Sequence, residues 1–282
     1  MKPRWGWFVM PCLVVTGTLL FASQAVFLRI SFYRDRSFGR VASDLTLDNY
    51  RRVLGDPFYL HSLALTAEVA LLVLACSLVV GYPAAYILAR MRGPWVGVLL
   101  GAMIASALVA EVIKVLGLVV IFSADGVLNR GLRALGLIDA PLSLLGTVPG
   151  VVVGLLHFTL GFVILLLFGV IQTIPRSLEE AARVHGATRL RALWRVVLPL
   201  SLPGVIAGGL VVFNLSMGAF TAAALLGGGR VLTMPVLIER TMMLETRYAI
   251  AACAAAVLMG SVLIANVATS LVLGRRRLGA VA

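Results

Sequence analysis

The chain has 282 residues, of which 61% are hydrophobic and only 13% are charged, whereas soluble globular domains carry about 25% charged residues. This composition excludes an ordinary water-soluble fold and favours an integral membrane protein. The net charge of +12 alone would also fit a nucleic-acid-binding protein. The basic residues, however, cluster at the ends of long apolar runs, so we expect no nucleic-acid partner.

Six apolar stretches are each long enough to cross a hydrocarbon core of about 30 Å, which takes about 20 helical residues. They predict an all-α integral membrane protein that consists of one transmembrane domain over residues 1–282. The expected spans cover residues 7–28, 62–89, 95–122, 148–171, 203–226 and 248–273.

The first stretch has a second interpretation. Met1 to Arg4, followed by an apolar run, also resembles a secretory signal peptide. Its removal would leave five spans and would place the basic cluster Arg275 to Arg277 on the outer side. We therefore expect the first stretch to remain as a span.

The distribution of charge predicts the orientation. With both termini in the cytoplasm, the inner segments hold 12 basic and two acidic residues, a net charge of +10, and the outer segments hold 11 basic and eight acidic residues, a net charge of +3. Short cytoplasmic loops are usually rich in Lys and Arg. We expect a multi-pass membrane protein that is surrounded by lipid and has both termini in the cytoplasm.

Three ionisable residues fall within the predicted spans, namely Glu68, Glu111 and Lys114. Such residues usually line a pathway or a helix interface, since lipid exposure is costly. Glu111 and Lys114 are three residues apart and so share a helical face. Two interpretations stay open, a structural ion pair or a translocation route on which Glu111 attracts a cationic solute.

The inner loop over residues 172–201 is the longest polar segment on the predicted cytoplasmic side. Ser177 and Glu180 have the spacing of a capping box at a helix start, and Gly186 fits a left-handed helix stop. A second short helix is expected over residues 189–197, with Leu198-Pro199 ending it. The loop thus predicts a helix-turn-helix on the cytoplasmic face.

The same loop resembles the E-A-A signature of ABC importer permeases, in which three residues separate E-A-A from a Gly and nine more precede I-x-L-P. The matching residues, with Val in place of Ile, are Glu180, Ala181, Ala182, Gly186, Val196, Leu198 and Pro199. The resemblance runs over most of the chain and is closest to the spermidine/putrescine permease branch. Supporting segments are 47–50, 81–86, 126–129, 218–220 and 224–228.

Two departures from that branch concern the solute. Family members often have a proline where Ala223 stands, and aromatic residues where Leu116 and Leu118 stand. The branch also includes importers of other small nitrogenous or phosphonate solutes. The resemblance thus implies a small solute, with a polyamine as one possibility.

The resemblance implies that residues 172–201, called the coupling loop below, dock on an ATP-hydrolysing subunit. Its coupling residues would be Glu180, Ala181, Ala182, Gly186, Leu198 and Pro199. The implied partners are a second permease subunit, a dimer of ATP-binding subunits and a periplasmic substrate-binding protein. The chain has no G-x-x-x-x-G-K-[ST] phosphate loop, so ATP and Mg would be bound by the ATPase. We expect no cofactor, metal site or catalytic residue in this chain, hence no enzyme.

Two other classes of membrane protein would need residues of a different kind. A secondary transporter or channel subunit would work without an ATPase and would need its own ion-coupling site. An intramembrane enzyme would need a catalytic set such as H-E-x-x-H or a nucleophilic Ser with a base. The sequence shows neither set of residues.

Overall fold

The computed structural model describes residues 6–36 and 40–278. Lys2 and Arg4, two of the 12 basic residues that the predicted orientation places on the inner side, lie outside the described residues. The elements in chain order are α1 (Gly6–Ser31), β1 (Tyr33–Arg36), β2 (Arg40–Leu45), α2 (Asp48–Gly55), α3 (Pro57–Arg90), α4 (Trp95–Leu108), α5 (Glu111–Phe122), α6 (Val127–Ala134), α7 (Val148–Gln172), α8 (Arg176–Val184), α9 (Arg189–Ala192), a π-helical turn (Leu193–Val197), α10 (Leu198–Met217), α11 (Thr221–Gly227), α12 (Met234–Met243) and α13 (Tyr248–Leu278).

Within the described residues, five helices are long and apolar enough to span a membrane, and one bent pair of helices makes a sixth candidate span. The five are Met10–Ser31, Pro57–Arg90, Val148–Gln172, Arg189–Met217 and Tyr248–Leu271. The prediction of an all-helical membrane protein is confirmed. Most of these helices keep large apolar side chains exposed, Phe21 and Val79 among them, because lipid rather than water is their solvent.

The third span differs from the continuous helix expected over residues 95–122. It breaks after Leu108, and the chain bends by 95° before it continues. Val109 and Ala110 adopt extended backbone conformations, with ψ of 131° and 135°. The prediction of continuity was wrong because no Pro or Gly stands at the break. Instead, Glu111 begins the new helix, where the positive end of the helix dipole favours a carboxylate.

The fifth span was expected over residues 203–226 and is observed over Arg189–Met217. It therefore both starts and ends earlier than expected. Leu198-Pro199 does not end a helix, as we had expected, because the π-helical turn lets the chain run on into α10. The Leu198 N–H donates to the Leu193 carbonyl, five residues back, and the wider turn accommodates the proline ring and its missing N–H. The span then breaks at residues 218–220, and α11 follows as a separate short helix.

Residues 64–233 form one compact unit with α3, α7 and α10 at its centre. The Ser77 hydroxyl bonds the Thr159 hydroxyl at 3.2 Å between α3 and α7. Close packing of α7 and α10 depends on Gly204, where an added Cβ would lie 2.5 Å from Val170 Cγ1. Small residues at such points let membrane helices approach each other.

Residues 6–63 and 234–278 belong to the second unit. Its antiparallel hairpin β1–β2 pairs Tyr33 with Leu45. The Asp35 carboxylate accepts hydrogen bonds from the Ala249 and Ile250 N–H groups, at 2.8 and 3.1 Å. The hairpin thus satisfies N–H groups at the start of α13 that have no partner within the helix. A buried apolar cluster of Val53, Tyr59, Met234, Leu237, Ile250, Cys253 and Ala254 holds α2, α3, α12 and α13 together.

Candidate functional site: the coupling loop and a buried carboxylate

The first helix of the coupling loop starts one residue before Ser177, which we expected to cap it. α8 begins at Arg176, directly after Pro175, and Pro175 makes no side-chain capping hydrogen bond. Ser177 therefore lies inside the helix and is exposed. The predicted capping box of Ser177 and Glu180 is wrong, because the extended backbone at Pro175, with ψ of 133°, already starts the helix.

The end of α8 is as predicted. Gly186 has φ of +85°, a left-handed conformation that favours glycine. The Ala187 N–H bonds the Ala182 carbonyl and the Gly186 N–H bonds the Arg183 carbonyl, both at 3.0 Å. These two bonds make a Schellman motif. The spacing between Ala182 and Gly186 in the sequence signature therefore has a local geometric reason.

The predicted coupling residues lie on two different helices. Glu180, Ala181 and Gly186 are exposed around the C-terminal half of α8, and Ala182 is half-buried. Leu198 and Pro199 lie at the start of α10. The structure thus places the E-A-A residues and the glycine together on a surface and the L-P pair in the following span.

Sequence reasoning missed four exposed apolar side chains that precede α10 in the same loop. They are Leu178, Val184, Leu190 and Trp194, and Val184 is 85% exposed. We call these four residues the apolar face of the coupling loop. A signal existed, since the polar loop holds large apolar residues that have no long apolar run around them. Because contiguous exposed apolar side chains mark interaction surfaces, these four residues are candidates for such a surface.

Sequence reasoning also missed Glu179, which is the acid of α8 that faces inward. Its Oε1 lies 2.6 Å from Arg90 Nη2, and its Oε2 accepts a 2.7 Å hydrogen bond from the Tyr86 hydroxyl. Tyr86 and Arg90 are one helical turn apart at the end of α3. That spacing was the only sequence signal, and it does not show which loop residue meets the pair.

A second candidate site surrounds Glu111 at the start of α5. Its carboxylate accepts a hydrogen bond from the Ala222 N–H in α11. Glu111 Oε1 is buried and has no hydrogen-bond partner in the described part of the chain. An acceptor oxygen without a donor is costly in the interior of a protein, so this atom is free to take a donor from a ligand.

Lys114 lies on the same face as Glu111, as predicted from their spacing. Its ammonium is 6.0 Å from the centre of the Phe158 ring in α7, a cation–π distance. Lys114 forms no salt bridge with Glu111 within the described ranges. Glu68 is exposed on α3 and is not part of this group. We call Glu111, Lys114, Phe158 and Ala222 the Glu111 cluster.

Comparison with known proteins shows the family to which this chain belongs. Residues 56–277, more than half of the chain, match the family described as "Binding-protein-dependent transport system inner membrane component". The chain belongs to this family. It is a permease subunit of an ABC importer, and hence a transport subunit and not an enzyme.

Relatives of this chain include permeases of several transport systems. The spermidine/putrescine transport system permease protein PotB of Escherichia coli K12 is 35% identical over 230 residues, which cover 80% of this chain and 78% of PotB. PotB of Haemophilus influenzae is 30% identical, with coverages of 78% and 77%. The trehalose permease SugB of Mycobacterium tuberculosis is 30% identical over 61% of this chain and 57% of SugB.

Solved structures confirm the permease fold. A chain of a bacterial ABC transporter involved in the import of the acidic polysaccharide alginate matches with a TM-score of 0.72 at 20% identity, covering 95% of this chain and 96% of that chain. A chain from the same kind of transporter in complex with an alginate-bound periplasmic protein matches with a TM-score of 0.71 at 21% identity. At such low identity, the match concerns the fold alone.

Proposed function

We propose that the chain is one of two membrane subunits of an ATP-driven importer that takes up a polyamine or a related small amine. In this proposal, a periplasmic binding protein delivers the solute, and a dimer of ATPase subunits, which binds ATP and Mg, drives the cycle. The observation that carries the proposal is the coupling loop. Its residues Glu180 and Ala181 and its apolar face lie exposed on a short helix-turn-helix whose first helix ends at the left-handed Gly186.

The surface of the coupling loop has the properties of a docking site. Glu180, Ala181 and the apolar face bring exposed apolar and charged side chains together in one short loop, a mixture that is found at protein interfaces. Small side chains at Ala181 and Ala182 let the backbone of a partner come close. The exposed Arg183, Arg189 and Arg191 would pair with acidic groups of an ATPase.

A second permease completes the route in this proposal. One subunit supplies only one wall, and α5 exposes the large apolar residues Val112, Ile113 and Val120, which need either lipid or another helix as a neighbour. One of the related structures was solved with a periplasmic protein bound to the transporter. A similar delivery protein is therefore part of the proposed assembly in a bacterial inner membrane, with both termini of this chain in the cytoplasm.

The solute is inferred from the relatives and from Glu111. Of the relatives given above, the one with the highest identity is named for spermidine and putrescine, which are multiply cationic amines. The Haemophilus influenzae relative carries the same name and matches more of this chain than SugB does, 78% against 61%. The free Glu111 oxygen can accept hydrogen bonds from an ammonium group, and charge-assisted bonds of this kind are strong. The positive charge of Lys114 repels a cationic solute. Lys114 lies over the Phe158 ring, however, and leaves the Glu111 carboxylate without a salt bridge to it, so that carboxylate can still accept an ammonium group.

Competition for uptake tests the solute. In cells that carry the intact system, excess unlabelled spermidine or putrescine should suppress uptake of the labelled amine, and at least one of the two should bind the partner binding protein. Trehalose, the solute in the name of the related SugB, is the control and should not compete. Lack of binding of both polyamines to the binding protein would contradict the polyamine proposal.

A further inference from the structure

Glu179, Arg90 and Tyr86 connect the coupling loop to a membrane-spanning helix with which it shares no nearby sequence. The contacts from Glu179 to Arg90 and Tyr86 bridge about ninety residues of chain and engage both carboxylate oxygens. The side chains of Arg90 and Glu179 are only 15% and 13% exposed. A charged pair so far removed from water is costly to separate.

Two arginines add hydrogen bonds between the end of α3 and the start of α8, one donated from each side. Arg90 Nη2, at the end of α3, donates to the Ile174 carbonyl just before α8 at 3.2 Å. Arg176 Nη2, at the start of α8, donates to the Ala89 carbonyl at 3.2 Å. The carbonyls of a helix's last turn lack partners within the helix, so Arg176 satisfies one of them at the end of α3. The two helix ends are therefore held by reciprocal bonds.

The same face of α3 continues the connection into the membrane. Arg90, Tyr86 and Tyr82 are four residues apart and so lie in one row on α3. Tyr82 is buried, and its hydroxyl bonds the Ser201 hydroxyl of α10 at 2.9 Å. The row therefore contacts α8 at one end and α10 further along the helix.

We propose that Glu179, Arg90 and Tyr86 form a positioning lock that transmits movement of the coupling loop to α3. The proposal rests on the proposed function, because it assumes that an ATPase moves α8. Without the lock, only single hydrogen bonds to backbone carbonyls, such as the one from Arg176 to Ala89, would connect α8 to α3. With the lock, α3 moves with it as one body. Glu179 thus differs in role from its neighbour Glu180, which faces outward towards a docked partner.

The decisive experiment separates ATP hydrolysis from transport in the complete complex with its binding protein. Glu179→Ala should lower the amount of solute moved per ATP hydrolysed by roughly tenfold, while the ATPase still copurifies. Glu179→Gln, which keeps an acceptor oxygen for Tyr86, should lose less. Exchange of the two charges, R90E with E179R, should restore part of the ratio lost in each single variant.

Two further variants keep the test informative. Arg92→Gln is the matched control, since Arg92 is exposed two residues beyond Arg90, and it should keep the wild-type ratio. If Glu179→Ala does not accumulate, Tyr86→Phe, which removes one hydroxyl, decides the question by lowering the same ratio.

An unchanged ratio in Tyr86→Phe and in each charge variant that accumulates would overturn the lock. Loss of transport and ATP hydrolysis in parallel would also overturn it, because a merely structural role predicts that result. Failure of the proposed function is a different result. In that case, the wild-type complex would itself show no transport that depends on ATP.

Discussion

Gly186→Val is expected to abolish transport while the chain still inserts in the membrane. Gly186 has φ of +85°, and nothing lies within 4 Å of the position of an added Cβ. The substitution therefore creates no clash, and its cost comes from the backbone. A β-branched residue is strongly disfavoured in the left-handed region, where non-glycine residues cost about 1–2 kcal/mol. We expect the Schellman bonds to open and the end of α8 to leave the position that it has in this structure.

The measurement combines membrane fractionation, uptake and copurification with the ATPase. Gly169→Val is the matched control, because Gly169 also has open space around it but lies in the helical backbone of α7. A second comparison is Gly186→Asn, since Asn tolerates the left-handed conformation better than Val. Normal uptake and normal ATPase association in Gly186→Val would contradict the role given to the coupling loop.

Glu111→Gln is expected to raise the KM for a polyamine by about tenfold or more, since hydrogen bonds to charged groups are worth about 1.5–3 kcal/mol. The amide oxygen can still accept the bond from the Ala222 N–H, so the start of α5 should keep its position. What the variant removes is the negative charge beside the unpartnered oxygen. The KM is obtained from initial uptake rates over a range of solute concentrations in the complete system.

A second variant at the same cluster should change the KM in the opposite direction. Lys114→Gln removes the positive charge on the same face of α5, so it should lower the KM for a cationic solute. If Glu111→Gln transports a polyamine with the wild-type KM, Glu111 does not bind the solute. The interpretation as a structural group would then remain for the Glu111 cluster.

Hydropathy made most of the fold predictable. The bounds expected for the first, second, fourth and last spans lie within a few residues of those observed, because a bilayer of fixed thickness imposes the length of an apolar run. The break at Val109 and Ala110 could not be predicted in this way. Both residues suit an apolar helix, and neither Pro nor Gly marks the bend.

In the coupling loop, features that depend on nearby residues were predictable, and features that depend on residues far away in the sequence were not. Gly186 was predictable because a left-handed helix stop is a local requirement. The different positions of Glu179 and Glu180 were not predictable, since adjacent residues of a helix differ by about 100° in direction. Which of the two faces inward depends on Tyr86 and Arg90, which lie far away in the sequence. The continuation of the helix through Pro199 was likewise not predictable, because it depends on the π-helical turn before it.

The most direct test of the account is uptake by proteoliposomes that contain this chain, its second permease and the ATPase. With the binding protein outside, we predict uptake that requires hydrolysable ATP and Mg inside and that persists when ionophores collapse the ion gradients. ATPase-free vesicles should take up nothing. Uptake by this chain without the ATPase, driven by an ion gradient, would contradict the account and would indicate a secondary transporter.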